Sequence, residues 1–245
     1  MKSDSLLEKI LRTATELGST NRHEYLVHLA STGIHVGTKV RFEFEDKSKT
    51  FRYFDLKGNA KLPEGISQTD LHMYGWESVG EASEVVAVEG EHIVDALKRE
   101  GIVAVSPVGL GEICDESIQI LKGKRIVIWA DADPPRENGK PTTGDIRADY
   151  IINKLRRIGV EDIRQVEWDS APSKGDAVDA LRMGVDVQEL INNAIPINLT
   201  SPTNLNDNSP SMPRLKITRL SDVKSTYVQW LWKNRIPIGK NTVFS

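Results

Sequence analysis

The order of hydrophobic and polar residues divides the chain into segments of different periodicity. Near the N-terminus six apolar residues recur at helical spacing before Gly18, a residue type that often ends helices. They are Leu6, Leu7, Ile10, Leu11, Ala14 and Leu17. The spacing predicts a helix over residues 4–17, and a second helix is predicted over Arg22–Ala30, ahead of Gly33.

From His35 onward apolar residues alternate with polar ones, which is the period of a strand with one buried face. The alternating positions are Val36, Val40, Phe42 and Phe44, followed after the turn EDKSK by Phe51 and Tyr53. The two runs predict an antiparallel β-hairpin. With the two helices before it, the hairpin predicts a small α+β region over residues 1–83.

The middle of the chain carries short, almost continuous apolar runs instead. They lie at Glu84–Val88 (EVVAV), Ile102–Ser106 (IVAVS), Arg125–Ala130 (RIVIWA) and Ile163–Val166. Such runs are typical of strands that are buried on both faces, as in parallel sheets. Helices are predicted between and after them, at Ile93–Arg99, Glu116–Leu121, Asp145–Ile158 and Ala177–Met183. The alternation predicts an α/β domain over residues 84–192, with a central, mainly parallel sheet flanked by helices.

After Asn192 the composition changes to Asn, Ser, Pro and Thr, which predicts a flexible linker over residues 193–213. The hydrophobic pattern resumes at residue 214. An amphipathic helix is predicted over Ser221–Trp232, and the final segment IGKNTVFS predicts the beginning of a strand.

Composition narrows the possible classes of protein. The sequence contains no apolar run long enough to span a bilayer and no secretory signal pattern, so we expect a cytoplasmic protein without a membrane partner. The single cysteine, Cys114, excludes an intramolecular disulfide and any zinc site built from cysteines. No two of the five histidines are four residues apart.

The charge distribution adds a further constraint. Residues 84–192 contain 14 Lys and Arg and 21 Asp and Glu, a net charge of −7, whereas the whole chain of 245 residues has a net charge of −3. A region this acidic repels a phosphate backbone unless cations intervene. The imbalance therefore favours a site for a hard metal ion over a simple basic clamp.

Three carboxylates stand where such a site is expected. Glu89 follows the run EVVAV, Asp131 follows the run RIVIWA, and Asp133 comes two residues later. Ligand sites in open α/β sheets form beyond the carboxyl ends of the strands. If the two strands are neighbours, the three carboxylates converge on one crevice, where two could bind Mg²⁺ and Glu89 could bind the ion or transfer a proton.

Three segments then resemble the toprim family. The stretch VVAVEGEHIVDALKREGIVAVSPVGLG resembles the opening of a toprim domain, and RIVIWADAD resembles the second motif, a strand ending in D-x-D. SKGDAVDALRMG resembles a third element of primase-like members. The resemblance covers roughly residues 84–190, and it implies a Rossmann-like toprim fold and metal-dependent phosphoryl transfer.

The resemblance also implies roles for individual carboxylates. Glu89 would be the general acid or base, and Asp131 and Asp133 would hold Mg²⁺ or Mn²⁺. Asp176 and Asp179 match later acidic positions and would help to hold a second ion. The resemblance implies no zinc in this chain, because the cysteines of the zinc module of primases are absent.

Two further residues are implied as contacts of the substrate. Gly90 would let the backbone approach it closely, and Lys174 would meet a phosphate or else be an ordinary solvated lysine. The chain also departs from the family pattern. Ile93 stands where many primase-like members have an acid, and the nearest acid, Asp95, faces another direction on a helix. The segment PPRENGKPTTGD after Asp133 is longer than the usual link to the next helix, which indicates either an active-site loop or a surface insertion.

The flanking segments extend the resemblance to phage and plasmid primase-helicases. Residues 36–76 are similar to the segment before toprim in those proteins. Residues 214–245, ending in YVQWLWKNRIPIGKNTVFS, are similar to the beginning of a RecA-type or AAA-type ATPase domain, but they contain no phosphate-binding loop. We therefore expect a fragment of a longer protein, or a helicase partner.

The leading hypothesis is a primase-like protein of a phage or mobile element, which transfers nucleotides from nucleoside triphosphates along single-stranded DNA during replication. Two alternatives stay open on the sequence alone. One is a metal-dependent toprim nuclease. The other is a catalytically silent toprim module that binds nucleic acid or couples to a helicase.

Overall fold

The structure, a computed structural model, describes residues 5–107, 113–134 and 140–197, and the backbone at 230–232 and 236–237. The chain divides into two compact units, Met1–Leu199 and Thr200–Ser245. None of the helices that the structure describes is long and apolar enough to cross a membrane.

The first unit begins with α1, Leu6–Leu17, which confirms the first predicted helix. Ser5 caps it by accepting a hydrogen bond from the Glu8 backbone, and the Glu8 side chain accepts one from the Ser5 backbone in return. The helix ends at Gly18, whose φ of 70° lies in the left-handed region that glycine adopts at low cost. Its apolar face is buried through Ile10 against a small antiparallel sheet.

The second predicted helix, Arg22–Ala30, is wrong, because Asn21–His28 forms strand β1. β1 pairs with β2, His35–Glu43, which pairs with β3, Lys49–Asp55, in the antiparallel order β1-β2-β3. The predicted hairpin β2–β3 is confirmed and gains β1 as a third strand. Tyr25 and Val27 alternate with exposed Leu26 along β1, so the segment buries one face in the way of a strand.

Five further strands form the central sheet. They are β4 Glu84–Val88, β5 Ala104–Val105, β6 Arg125–Trp129, β7 Ile163–Gln165 and β8 Ile195–Pro196, in the order β5-β4-β6-β7-β8. All neighbours are parallel except β7 and β8. The predicted second strand is reduced to two residues, and β8 lies within the segment that was predicted as a linker.

Helices cover the sheet, with bounds close to the predicted ones. They are α2 Glu91–Arg99, α3 Asp115–Gln119, α4 Thr143–Arg157, α5 Ala177–Arg182 and α6 Val187–Asn192, of which α6 was not predicted. Alternate residues of β4 and β6 enter two separate apolar clusters, one packed with α4 and the other with α2 and α5. The predicted fold class is therefore confirmed: a mainly parallel sheet flanked by helices, after a small α+β region.

The second unit is described only at β9, Trp230–Trp232, which pairs antiparallel with β10, Ile236–Pro237. The predicted helix Ser221–Trp232 is thus wrong for its last three residues, and residues 221–229 lie outside the described part. The predicted strand at 238–245 also lies outside it, as does the predicted linker after residue 197.

Candidate active site

The carboxyl ends of β4 and β6 lie side by side. The two strands are parallel neighbours in register, with Val88 opposite Trp129. Glu89 and Asp131 follow these strand ends, and both are half-buried. The Asp131 backbone N–H lies 3.4 Å from Glu89 Oε1 and donates to it. The predicted convergence of the strand ends is therefore present.

Asp133 is held by the first turn of α4. Its Oδ2 accepts a hydrogen bond of 3.0 Å from the Gly144 backbone N–H. A Cβ at position 144 would lie 3.1 Å from the Asp131 carbonyl oxygen and 3.2 Å from Glu89 Oε1. Helix α4 can approach the carboxylates this closely because residue 144 has no side chain.

Burial disfavours the charged form of Asp131, and the neighbouring carboxylates disfavour it further. Burial, and then the charges of Glu89, Asp176 and Asp133, raise the pKa of Asp131 to about 7, against a smaller opposing effect of Lys49. Its Oδ1 is buried, and no other described residue hydrogen-bonds to it. A buried oxygen without a donor, among carboxylates that repel it, has the electrostatics of a cation site.

Sequence reasoning missed Arg147. Its Nη1 lies 2.6 Å from Glu89 Oε2, in an ion pair that supplies positive charge to the carboxylate set. Arg147 follows Gly144 by three residues on α4, so the two share one helix face. The three-residue spacing of Gly144 and Arg147 is the only sequence feature that points to Arg147. It indicates a role in the site only once α4 is known to lie against Glu89.

Asp176 and Asp179 mainly serve the beginning of α5. Oδ1 of Asp176 accepts hydrogen bonds from the backbone of Val178 and Asp179, and its Oδ2 lies 3.5 Å from His92 Nε2. Burial acts to raise the pKa of Asp176, but hydrogen bonds from His92 and the α5 backbone lower it overall. Asp179 Oδ2 accepts from the Asp176 backbone, and its Oδ1 lies 3.6 Å from Arg182. Of these two aspartates, only Asp176 contributes to the raised pKa of Asp131.

Gly90 and Lys174 each have a local structural role, and their predicted contacts with substrate stay predictions. Gly90 begins α2 with a φ of −134°, which any residue adopts, but a Cβ there would lie 2.8 Å from the His92 ring. The glycine thus makes room for a histidine that contacts Asp176. Lys174 has a left-handed φ of 62°, and its backbone N–H donates to the Ala132 carbonyl at 2.7 Å while its side chain is exposed.

The two positions that depart from the family pattern lie outside the carboxylate set. Ile93 is buried in the apolar cluster beside α2. Asp95 accepts a hydrogen bond of 2.8 Å from the hydroxyl of Tyr74. Neither residue adds a ligand to the crevice.

The donor set suits a hard divalent cation, although it is not drawn together around one. Within residues 5–107, 113–134 and 140–197, no three His, Cys, Asp or Glu side chains are grouped closely enough to hold a metal ion. Arg147 contacts Glu89 and supplies it with a positive charge from the protein itself. The carboxylate oxygens of Glu89, Asp131 and Asp133 are nevertheless the ligand type that Mg²⁺ and Mn²⁺ prefer.

The mainly parallel sheet and the small antiparallel sheet before it define a primase-like fold. Two solved structures carry this conclusion. The Aquifex aeolicus primase with its zinc-binding and RNA polymerase domains matches 72% of this chain at 20% identity, with a TM-score of 0.53. A DNA primase domain from Pseudomonas aeruginosa matches 71% at 17% identity, with a TM-score of 0.51.

These likenesses concern the fold. The matched region spans 41% of the Aquifex aeolicus chain and 52% of the Pseudomonas aeruginosa chain. No protein-family model matches the sequence, and no curated protein matches it significantly.

Proposed function

We propose that this chain is the catalytic portion of a primase-like nucleotidyltransferase that depends on Mg²⁺ or Mn²⁺. The observation that carries the proposal is Asp131, a half-buried carboxylate with a raised pKa and one buried oxygen without a donor, surrounded by Glu89, Asp133 and Asp176 at the strand ends. Such crowding is stabilised by a bound cation, and nucleotide phosphates bring cations with them.

In the proposed reaction a 3′-hydroxyl attacks the α-phosphate of a nucleoside triphosphate. The new P–O bond forms as the bond to the β-phosphate breaks, and diphosphate leaves. Glu89 accepts the proton of the hydroxyl. Asp131 and Asp133, with Asp176 beside them, would hold the divalent ion. When bound, the ion would supply positive charge to the phosphate oxygens.

The proposed partners follow from this reaction. They are single-stranded DNA as template, nucleoside triphosphates as substrates, and a helicase or ATPase domain in the same or another chain. We place the reaction in the replication of a phage or mobile element. The association with a helicase rests on the sequence of residues 214–245, of which the structure describes only 230–232 and 236–237.

The test is primer synthesis on single-stranded DNA with ribonucleotides and Mn²⁺. We expect extended products from the wild-type chain and a loss of about 100-fold or more in Glu89→Gln and Asp131→Asn, because the site then lacks a proton acceptor or a ligand. Asp169→Asn is the matched control, since this exposed carboxylate lies outside the set. Absence of product from the wild-type chain, or products that persist in both site variants, would contradict the proposal.

Each of the two alternative functions predicts an activity of its own. A toprim nuclease would nick plasmid DNA under Mg²⁺ and lose that activity in Asp131→Asn. The ion pair between Arg147 and Glu89 specifically favours a catalytically silent module, because it engages the carboxylate that would otherwise accept the proton. Unchanged helicase loading by the double variant Asp131→Ala, Asp133→Ala would favour that module.

A further inference from the structure

A cavity of about 660 Å³ opens beside Asp131 and Asp133 and extends away from the strand ends. Its walls come from the D-x-D segment, from residues 140–142 and the first turns of α4, from the end of β7, and from the chain between β7 and α5. The volume falls within the range of roughly 300–1,000 Å³ that is usual for small-molecule sites. Glu89 does not line it, so the cavity is an extension of the carboxylate crevice on one side.

Trp168 forms an aromatic wall of this cavity. It is half-buried, and its ring packs on the apolar cluster beneath α2 and α5. The indole N–H donates a hydrogen bond of 2.9 Å to Ser170 Oγ, and the Ala171 backbone donates to the Trp168 carbonyl at 3.0 Å. The ring is therefore held in place before any ligand arrives. A fixed aromatic surface of this kind stacks on a nucleobase with little loss of side-chain entropy.

Polar groups in the same cavity have unused hydrogen-bonding capacity. Asp149 and Gln165 are exposed, and neither side chain makes a hydrogen bond or ion pair with another residue in the described part of the chain. Asp145, one turn before Asp149 on α4, is instead engaged with Thr142 in capping the helix. A carboxylate and an amide are suitable partners for the N–H groups of a base and the hydroxyls of a sugar.

The charge of the cavity decides which end of a nucleotide could enter it. Four carboxylates line it, at Asp131, Asp133, Asp145 and Asp149, whereas Lys140 is its single Lys or Arg among the described lining residues. A bare triphosphate would be repelled from such walls and could approach only at Asp131 and Asp133, together with a cation. A neutral nucleoside meets no such repulsion.

We propose that this cavity, which we call the Trp168 pocket, binds the nucleoside part of the nucleotide substrate. Trp168 stacks on the base. Asp149 accepts hydrogen bonds from the base or the ribose, and Gln165 accepts or donates them. The inference rests on the proposed function, because the phosphates then lie at Asp131 and Asp133. It assigns recognition of the nucleoside to the segment between β7 and α5 and to the face of α4 that carries Asp149.

The test is equilibrium binding to the full chain with Mg²⁺ and without template, so that no transfer occurs. The ligands are ATP, GTP, CTP and UTP, with inorganic triphosphate as a probe that lacks a nucleoside. Loss of base stacking should weaken nucleotide binding by about tenfold in Trp168→Ala, with triphosphate binding unchanged, and Trp168→Phe should restore most of the affinity. Asp149→Ala should weaken nucleotide binding several-fold, whereas Asp169→Ala, outside the pocket, should not.

Unfolding midpoints that match the wild type would establish that the variants are folded. The inference is wrong if Trp168→Ala binds nucleotides as tightly as the wild type, or if it loses nucleotides and inorganic triphosphate equally. It is also wrong if Trp168→Ala weakens the binding of single-stranded DNA and leaves nucleotide binding unchanged. Primer synthesis that survives with an unchanged KM in Trp168→Ala would overturn the pocket and leave the proposed function standing. Nucleotide binding that depends on Trp168, in a chain without transfer activity, would support the pocket and contradict the proposed function.

Discussion

At the scale of single residues, burial and neighbouring negative charges both disfavour the charged form of Asp131. The residue follows a buried strand, so its carboxylate is placed away from water, and three other carboxylates act on it. These influences raise its pKa to about 7 in the folded chain, whereas the carboxylate of the unfolded chain titrates near its ordinary value of 3.8. The charged form of Asp131 therefore costs stability in the folded chain.

This cost leads to a prediction about pH. Between pH 4 and pH 7 the folded chain holds a proton on Asp131 that the unfolded chain has released, so the contribution of Asp131 to stability falls as pH rises through this window. Asp131→Asn removes the effect. In EDTA at pH 8 the variant should be more stable than the wild type by on the order of 2–4 kcal/mol, and at pH 4 the difference should nearly vanish.

Urea unfolding at both pH values measures the two free energies. Asp169→Asn, which alters an exposed carboxylate outside the set, should change neither value by more than about 0.5 kcal/mol. Equal stabilities of Asp131→Asn and the wild type at pH 8 would contradict the prediction, because the charged carboxylate would then cost the folded chain no stability.

Local sequence patterns predict some residues of the candidate site and not others. Glu89, Asp131 and Asp133 were predictable because each directly follows or closely follows an apolar run, and strand ends are where α/β sheets bind ligands. Arg147 was not, because its importance depends on the distance between α4 and β4, which no local pattern encodes. The proposed role of Trp168 likewise depends on a cavity formed by distant segments.

At the scale of elements, β1 is the strand for which the sequence predicts a helix instead. Residues 22–30 contain no glycine or proline and have acceptable helix propensity, so the local signal did not exclude a helix. In the folded chain the backbone of Asn21–His28 pairs with the exposed edge of β2, and Tyr25 and Val27 are buried against the rest of the unit. Tertiary pairing overrides a weak local preference here.

The beginning of α2, just after Glu89, is tied to the antiparallel sheet by a buried ion pair. Lys39 Nζ on β2 contacts Oε1 of Glu91, the first residue of α2, and the side chains are only 8% and 6% exposed. Glu91 lies two residues after Glu89, so the pair fixes the beginning of α2 next to the crevice. The sequence around Lys39 predicts only a strand, and nothing in its local pattern indicates Glu91 as a partner.

Removing the lysine should be costly. Lys39→Met leaves the Glu91 carboxylate buried without its counter-charge, and we expect a loss of about 3–5 kcal/mol in the free energy of unfolding. The double variant Lys39→Met, Glu91→Leu should recover most of that loss, because an apolar pair of similar volume needs no compensation. Arg22→Met, which breaks the more exposed pair with Glu24, should cost less than about 1 kcal/mol.

Urea unfolding of the four chains at pH 7 measures these differences. Similar losses in Lys39→Met and Arg22→Met would contradict the prediction, since burial would then make no difference. So would a double variant that is as unstable as Lys39→Met alone.

At the scale of the whole molecule, the chain divides between Leu199 and Thr200, inside the segment that sequence predicted as a linker. Residues before the boundary contain both apolar clusters of the central sheet and the clusters around the antiparallel sheet. These clusters lie within the first unit, so the unit has the core that independent folding requires.

A chain ending at Leu199 should therefore unfold cooperatively, with a midpoint within about 3 °C of the transition of the first unit in the full chain. A chain ending at Leu190 is the control. It lacks β8 and the fully buried Ile191, and its midpoint should fall by roughly 5 °C or more. Calorimetry of the three chains measures the midpoints. A chain ending at Leu199 that is unfolded, or no more stable than the one ending at Leu190, would contradict the boundary.

The sequence by itself determined the α/β class, most of the helices and strands of residues 84–192, and the three carboxylates at the strand ends. It could do so because these features depend on the period and length of apolar runs, which are local. Tertiary structure decided that residues 21–28 form a strand, that Arg147 pairs with Glu89, and that burial and neighbouring charge raise the pKa of Asp131. These features depend on distances between segments far apart in the chain, and such distances exist only once the sheet and its helices have packed.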